Sequence, residues 1–378
     1  MVQPAVDDAV DFARIRRVLV IKLRHHGDVL LTSPVFSVLR RAAPHAEVDA
    51  LVYGETAPML ERHPGISIVH TIDRRLKRGR LPALRAELRL WQALRRRRYD
   101  LVVHLTEHPR GAWLSRLVGA RYAVALDRAD AGVWWRSSFT HLYALPRNTE
   151  RHVVEQNLDA IRRLGAWPDE SDKPLVLVPG AAAETRVAAL MARHTLARGR
   201  FVIVHPGSRW QFKSWTAAAN ATLVDRLAAD GWRVVLTAAP DPAERALTEA
   251  IRTVASASVV DLSGELTLPE LGALIGAARM LIGVDSAPMH MAAAMQTPVV
   301  AVFGPSSEVA WAPWQVTHRI VGSAIHPCRP CNINGCGGSN ISDCLLTLPV
   351  ARVVSAVREL LAETADRFPH ETGTPVHR

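Results

Sequence analysis

Asp28 is the residue of this sequence best placed to act as a general base. It follows Arg24, His25, His26 and Gly27, where an apolar run that predicts a buried strand passes into an amphipathic stretch. A carboxylate at the end of a parallel strand can take a proton from a bound hydroxyl group. The alternative is a structural role, because an aspartate at the start of a helix is also a common N-cap.

A second group of polar residues follows the first predicted strand of the second half. Ser208, Arg209 and Lys213 lie in HPGSRWQFKSW, residues 205–215, where Gly207 permits a tight turn. A hydroxyl group, two cations and backbone N–H groups at a strand end can bind a diphosphate. An ordinary turn with solvated basic side chains is the competing interpretation.

A third group lies in GVDSAPMHMAAAM, residues 283–295. Ser286 is a natural N-cap, and the N–H groups of Ser286 and Ala287 at a helix N-terminus favour a diphosphate. Asp285 would repel an anion, so we expect it to face a hydroxylated part of the ligand. His290 either reaches back to this site or is a buried helix residue.

All four cysteines fall in one segment, as Cys328, Cys331, Cys336 and Cys344, with the spacing C-x2-C-x4-C-x7-C. In a reducing cytosol this spacing suggests a structural zinc site rather than a disulfide framework. Four reduced thiols in a loop rich in glycine and asparagine are the alternative.

The elements that must position these residues are predicted from alternating apolar runs and amphipathic segments. Near-continuous apolar runs are typical of parallel strands covered on both faces. A polar, proline-bounded stretch at 167–174 divides the series, so we expect two Rossmann-like domains of the α/β class facing a central cleft. A helix is predicted over residues 29–41. The predicted strands span residues 16–23, 47–53, 66–72, 100–105 and 122–126, and then 200–207, 232–238, 259–264, 280–286 and 298–304.

The domain prediction has five parts. An N-terminal domain covers residues 1–166 and a linker with its connecting helix covers 167–199. A C-terminal domain covers 200–348, a final helix 349–363 and a tail 364–378.

Composition places the chain among ordinary globular proteins. Of its 378 residues, 48% are hydrophobic and 22% are charged, with a net charge of +10. The longest apolar runs have about seven residues, against the roughly 20 of a membrane helix. The N-terminal residues do not resemble a secretory signal, so we expect a cytoplasmic protein. Neither half carries G-x-G-x-x-G or a Walker A sequence, which argues against a nicotinamide enzyme and a P-loop ATPase.

Positive charge is concentrated in residues 71–98, where eleven Arg or Lys residues stand against Asp73 and Glu87, a local net charge of +9. A solvated helix face and an anionic partner are both compatible with this composition. Among anionic partners, a membrane with phosphorylated lipids is favoured over nucleic acid. Aromatic residues do not interleave with the basic ones as a base-stacking surface requires.

Three segments together resemble glycosyltransferase family 9, the lipopolysaccharide heptosyltransferases: IKLRHHGDVLLTSPV, HPGSRWQFKSW and ARMLIGVDSAPMHMAAAMQTPVVAVFGPS. They occur in the family's order, and the resemblance covers about residues 16–363. The R-H-H-G-D form is most similar to the branch called heptosyltransferase III. The resemblance implies a GT-B fold whose final helix crosses back to the first domain.

The resemblance also implies an inverting transfer of heptose from ADP-L-glycero-D-manno-heptose to the inner core of lipopolysaccharide. The first domain would bind the acceptor, with Asp28 as general base. From their position at the strand end, Arg24, His25, His26 and Gly27 are expected on the acceptor side or in the cleft. No cofactor or metal is expected, since no Asp-x-Asp motif is present. The implied donor-binding residues are Ser208, Arg209, Lys213, Leu266, Asp285, Ser286, Ala287 and His290.

The acceptor would lie at the cytoplasmic face of the inner membrane, which gives residues 71–98 an anionic partner and the protein a peripheral location. Two rival interpretations remain. One is another GT-B sugar-nucleotide enzyme, with a different donor sugar or an epimerase activity. The other is a non-catalytic basic protein that binds nucleic acid through residues 71–98.

Overall fold

The computed structural model describes residues 6–74, 81–128, 130–146 and 150–368. The chain divides into two compact units, unit 1 (Met1–Val178) and unit 2 (Pro179–Arg378). Each unit contains one six-stranded parallel sheet. The apolar runs predict the parallel sheets, but only five of the six strands in each. The boundary between the two units follows Val178. It lies inside residues 167–199, the predicted linker with its connecting helix.

Unit 1 has the strand order β3-β2-β1-β4-β5-β6. Its central strands are apolar on both faces and are buried between helices. The strands are β1 (Arg17–Ile21), β2 (Glu47–Tyr53), β3 (Ile68–Ile72), β4 (Leu101–His104), β5 (Tyr122–Leu126) and β6 (His141–Tyr143). The helices are α1 (His26–Leu30), α2 (Ser33–Ala42), α3 (Leu81–Arg97), α4 (Pro109–Val118), α5 (Val133–Arg136) and α6 (Val153–Arg163). Short 3-10 helices span Phe12–Arg14, Gly54–Met59 and Glu170–Asp172.

The single helix predicted over 29–41 is wrong, because the structure has two helices there. Pro34 lacks an N–H group and cannot bond the carbonyl oxygen of Leu30. The Thr32 hydroxyl donates to the carbonyl oxygen of Val29 at 2.6 Å, which closes the end of α1. Asp28 therefore lies inside the first turn of α1, whose N-cap is His25. The interpretation of Asp28 as an N-cap is wrong as well.

Unit 2 repeats the architecture, with the order β12-β11-β10-β7-β8-β9. Its strands are β7 (Phe201–His205), β8 (Arg233–Leu236), β9 (Val260–Asp261), β10 (Met280–Val284), β11 (Val299–Phe303) and β12 (His318–Gly322). Its helices are α7 (Ala181–Arg193), α8 (Ala217–Ala229), α9 (Pro242–Val254), α10 (Leu268–Ala277), α11 (Ala287–Ala294), α12 (Glu308–Trp311), α13 (Asp343–Leu346) and α14 (Val350–Glu363). Short 3-10 helices span Gln211–Lys213, Cys336–Gly338 and Ala365–Arg367.

The polar stretch 167–174 packs against α2 of unit 1. Its 3-10 helix carries the buried Asp172, whose carboxylate accepts a hydrogen bond from Arg41 of α2 at 2.8 Å. The preceding helix α6 ends at Arg163, and Gly165 follows it with φ of +93°.

The buried face of α14 carries Val353, Val357 and Leu360, which join the core of unit 2. This helix packs on β11, β12 and α8. Its crossing to unit 1 stays a prediction. None of the described helices is long and apolar enough to span a membrane. Residues 75–80 of the basic segment and 369–378 of the tail lie outside the described residues.

Candidate functional site

The candidate donor site lies where the connections of unit 2 leave the sheet in opposite directions. From β7 the chain continues to β8 and β9 on one side, and then returns to β10 and β11 on the other. Strands β7 and β10 are parallel neighbours, with His205 opposite Gly283 at their carboxyl ends. Such a switch point opens a crevice beyond the strand ends, which is where doubly wound sheets bind ligands.

An ion pair joins the two loops that border this crevice, one after β7 and one after β10. The Lys213 ammonium group, on the 3-10 helix after β7, lies 2.6 Å from Oδ2 of Asp285, which directly follows β10. Asp285 is 5% exposed and Lys213 is half-buried. A carboxylate this deeply buried needs a compensating charge, and Lys213 supplies it.

Ser208 and Arg209 fill the turn between β7 and that 3-10 helix. Ser208 is buried, and its Oγ accepts the N–H of Trp210 at 3.3 Å. Arg209 is exposed, with its guanidinium 5.5 Å from the centre of the Trp210 ring. Arg209 is therefore a second cation in the same connection as Lys213.

Helix α11 begins at the same edge of the sheet. Ser286 occupies the predicted N-cap position, and Pro288 lies in the first turn. The Ser286 hydroxyl donates back to the carbonyl oxygen of Val284 at 3.3 Å instead of capping the helix. Ala287 opens the helix, and its N–H is one of the first-turn groups that lack an intrahelical partner. The N-terminus keeps its partial positive charge beside Lys213 and Asp285.

Two of the predicted donor residues lie further from this pair. His290 is buried on α11, with its ring 6.3 Å from that of Trp311. Leu266 is half-buried in the loop between β9 and α10. Because β8 separates β7 from β9, Leu266 lies two strands from the switch point.

Unit 1 has its own switch point between β1 and β4. Helix α1 starts there, so Asp28 lies at the carboxyl edge of the sheet with a side chain that is 14% exposed. The guanidinium of Arg24 is 3.6 Å from its carboxylate. His26 donates from Nε2 to the carbonyl oxygen of Glu55 at 2.9 Å. Gly27 belongs to α1 itself.

The sequence over residues 87–340 matches the profile of glycosyltransferase family 9 (heptosyltransferase), which is more than half of the chain. The chain belongs to glycosyltransferase family 9. It is 37% identical to lipopolysaccharide heptosyltransferase 3 of Escherichia coli over 77% of this chain and 84% of that protein.

Two solved structures share the fold of this family 9 glycosyltransferase. A glycosyltransferase family 9 protein from Veillonella parvula aligns with a TM-score of 0.81 and 23% identity, over 95% of this chain and 100% of that one. An E. coli heptosyltransferase with ADP-2-deoxy-2-fluoro heptose aligns with a TM-score of 0.68 and 19% identity, over 92% and 99%. The predicted GT-B fold is confirmed.

The glycosyltransferase has a buried cation near Asp28 that lies outside the sequence motifs. Lys22 directly follows β1, and its Nζ donates to the carbonyl oxygen of Leu105 at 3.0 Å and to Oδ1 of Asn157 at 3.1 Å. Burial lowers the pKa of Lys22 to about 8, against the opposing effect of the Asp28 carboxylate. A lysine inside the apolar run RVLVIKL was the signal that could have identified it.

A second residue that the sequence motifs do not include is Glu244, on α9 of unit 2. Its carboxylate is buried, accepts the N–H of Ala239 at 3.0 Å and lies 3.7 Å from Nε2 of His205. Burial raises the pKa of Glu244 and lowers the pKa of His205 to about 4. His205 is therefore neutral at pH 7, and Glu244 is held close to Gly207 in the loop after β7.

Unit 1 contains a cavity of about 710 Å³ at the carboxyl ends of β2 and β3. Arg74 on its wall pairs with Glu55 at 3.2 Å, and Glu55 is the residue whose carbonyl oxygen accepts from His26. A chain of contacts therefore links the cavity to α1 and Asp28. The cavity is lined by Tyr53, Thr71, Ile72, Asp73, Arg74, Ala83, Leu84, Ala86, Glu87, Leu90, His108, Pro109, Arg110 and Trp113.

The four cysteines are free thiols, and Cys344 is the buried one. Among the residues that the structure describes, no three His, Cys, Asp or Glu side chains come together as a metal site. The segment is held by other contacts. Arg329 donates to the carbonyl oxygens of Gly304 and Ser323 at 2.8 Å each and pairs with Glu308.

Proposed function

We propose that this family 9 glycosyltransferase transfers heptose from ADP-heptose to the inner core of lipopolysaccharide, by an inverting single displacement. The observation that carries the proposal is the Lys213–Asp285 pair at the switch point of unit 2, beside the N-terminus of α11. The lipopolysaccharide heptosyltransferase 3 of E. coli supports the acceptor class. The E. coli heptosyltransferase structure with an ADP-heptose analogue supports the donor.

The donor diphosphate would lie against Lys213, Arg209, Ser208 and the first N–H groups of α11. These groups provide cations and N–H donors at one edge of the sheet, as an anionic ligand requires. Asp285 would accept hydrogen bonds from donor hydroxyl groups. Charge that grows on the leaving ADP would then be stabilised by groups that are already in place.

Asp28 would remove the proton from an acceptor hydroxyl group as that oxygen attacks the anomeric carbon. The bond from the anomeric carbon to the diphosphate oxygen breaks on the opposite face, so the configuration inverts. Arg24, at 3.6 Å, and the buried Lys22 supply positive charge near the carboxylate. A positioned base of this kind contributes roughly 10²- to 10⁴-fold to the rate.

The acceptor would be held by unit 1. The cavity beside β2 and β3 combines cations, Arg74 and Arg110, with the apolar Leu84, Leu90 and Trp113. This mixture suits a phosphorylated saccharide that is attached to a lipid. The proposed location is accordingly the cytoplasmic face of the inner membrane.

The test is heptose transfer by Asp28→Asn, followed by mass spectrometry of the lipopolysaccharide core. We expect turnover to be abolished, while ADP binding by calorimetry stays close to that of the unaltered protein. Asp127→Asn, an exposed acid of unit 1 paired with Arg136, is the control and should retain transfer. Retained turnover by Asp28→Asn would remove Asp28 from its role. Thermal stabilisation by UDP but not by ADP would refute the donor.

A further inference from the structure

Unit 1 exposes an apolar surface on three helices. Seven large hydrophobic side chains of α3, α4 and α5 are between 37% and 84% exposed. A helix of a globular protein normally turns such residues toward the core. We call this surface the leucine–tryptophan face; it consists of Leu81, Leu84, Leu88, Trp113, Leu117, Val133 and Trp134.

The leucines of α3 form a stripe that points away from the core. Leu81, Leu84 and Leu88 have the i, i+3, i+7 spacing of one helix face. At 3.6 residues per turn, the buried Leu94 of α3 lies roughly 80–140° around the helix from these three leucines, on a different face. This amphipathic helix therefore has one apolar face packed on unit 1 and a second one exposed.

Contacts join the three helices into one surface. Leu84 and Trp113 line the same cavity. The rings of Trp113 and Trp134 have centroids 4.9 Å apart, which connects α4 to α5. The exposed apolar residues are therefore continuous rather than scattered, and a continuous apolar patch indicates an interaction site.

The charge around the face decides which partner fits. Helices α3, α4 and α5 contain eight arginines and one acid, Glu87. Arg85 and Arg89 are exposed beside the leucine stripe. Arg116 lies over the Trp134 ring at 5.6 Å. Arginine stems can cover apolar surface while their guanidinium groups reach phosphates. A second copy of this face would bring the same positive charge and repel it.

We propose that the leucine–tryptophan face lies in the interface of an anionic phospholipid bilayer. The leucines and tryptophans enter the boundary between headgroups and acyl chains, and the arginines bind lipid phosphates. The protein rests on the membrane without spanning it. This inference deepens the proposed function, because a lipid-linked acceptor gives the face its use, but lipid binding itself requires no acceptor.

The first experiment is co-sedimentation of the full chain with phosphatidylcholine vesicles, with and without phosphatidylglycerol. We expect binding to the vesicles that contain phosphatidylglycerol and weaker binding as salt screens the arginines. A chain that stays in the supernatant with phosphatidylglycerol at low salt would overturn the proposal. Equal binding to phosphatidylcholine alone would overturn it too.

Matched variants separate the apolar and the charged contributions. Leu81→Gln, Leu88→Gln and Leu117→Gln combined should weaken vesicle binding by about tenfold or more. The control is Val254→Gln, Val309→Gln and Ile325→Gln in unit 2, whose side chains are comparably exposed. Arg85→Gln with Arg89→Gln should weaken binding about tenfold. Its control is the exposed pair Arg186→Gln and Arg193→Gln on α7.

Two further readouts make the result decisive. The triple leucine variant should keep transfer to a deacylated, water-soluble core acceptor and lose transfer to the vesicle-embedded one. If the variant binds vesicles like the unaltered chain, or instead dissolves an oligomer seen by light scattering, the proposal is wrong. Loss of vesicle binding in the variant, together with no heptose transfer by the unaltered chain, would refute the proposed function alone.

Discussion

The ammonium group of Lys213 lies 2.6 Å from the carboxylate of Asp285, although 72 residues separate them along the chain. The pair ties the loop after β7 to the loop after β10. An incoming diphosphate would therefore compete with Asp285 for the same ammonium group. Lys213 is for this reason the residue of unit 2 whose removal should affect donor use most directly.

Lys213→Ala should lower kcat/KM for the donor by about 10²-fold, because one charge-stabilising group is typically worth roughly 3 kcal/mol in the transition state. Steady-state kinetics and ADP calorimetry check this expectation. Lys173→Ala, which removes a lysine paired with Glu170 in unit 1, is the control and should leave donor binding unchanged. An unaltered donor KM and kcat in Lys213→Ala would contradict the assignment.

The cysteine-containing segment should matter for donor binding through Ser342. Its buried hydroxyl donates to the carbonyl oxygen of Phe212 at 2.6 Å, in the 3-10 helix that carries Lys213. Ser342→Ala leaves that carbonyl without this partner, at a cost of about 1–3 kcal/mol. We expect a lower melting temperature and a higher donor KM with kcat nearly unchanged. Ser355→Ala, which removes an exposed hydroxyl bonded to Glu359, should change neither.

The buried Lys22 predicts a pH dependence of stability. Burial lowers its pKa to about 8, against the ordinary 10.5 that applies in the unfolded chain. Between these values the unfolded chain binds more protons at this position, so the free energy of unfolding rises with pH. The rise is about 3 kcal/mol at most. The free energy of unfolding of Lys22→Met should lack this rise. Urea unfolding of both chains across that pH interval measures the difference.

Lys173→Met is the control for this experiment. Burial opposes ionisation of Lys173, but its hydrogen bonds with Glu170 and Glu155 raise its pKa above 10.5. The stabilisation that ionised Lys173 provides is present below pH 10.5 and is lost only above that value. The difference in free energy of unfolding between Lys173→Met and the unaltered chain should therefore stay constant between pH 8 and 10.5. Equal pH dependence in Lys22→Met and the unaltered chain would show that Lys22 is not buried as described.

Gly111→Ala should destabilise unit 1. A Cβ at this position would lie 1.7 Å from Nε2 of the buried His104 ring, which packs against both Trp135 and Phe139. Overpacking of this kind costs about 1–3 kcal/mol. Gly132→Ala, where a Cβ meets nothing within 4 Å, should be nearly neutral. Denaturant unfolding that ranks the two variants equally would contradict the packing at His104.

Much of the fold could be predicted because buried parallel strands leave a strong trace in sequence. The ranges of β2 and β5 agree with the predicted ones to the residue. Strands β6 and β12 were missed, since both are edge strands with polar residues. The break between α1 and α2 was not predicted. Pro34 alone does not reveal it, because a proline is also tolerated in the first turn of a helix.

The site was predictable in part for the same reason. Asp285 lies at the end of one predicted strand and Lys213 follows another, and the carboxyl ends of those strands meet at one edge of the sheet. That they would form an ion pair depends on the order of β7 and β10, which the residues alone do not specify. The Lys22–Asn157 hydrogen bond spans 135 residues. No periodic pattern marks a pairing of that kind.

Asn157 connects α6 to the segment that carries Asp28. Its side chain accepts from Lys22 and donates to the carbonyl oxygen of Leu31 at 3.1 Å, the residue that follows α1. One amide therefore fixes both ends of the segment that carries Asp28. If Asp28 is the base, a random mutagenesis screen for loss of heptose transfer should recover folded variants at this α6 position.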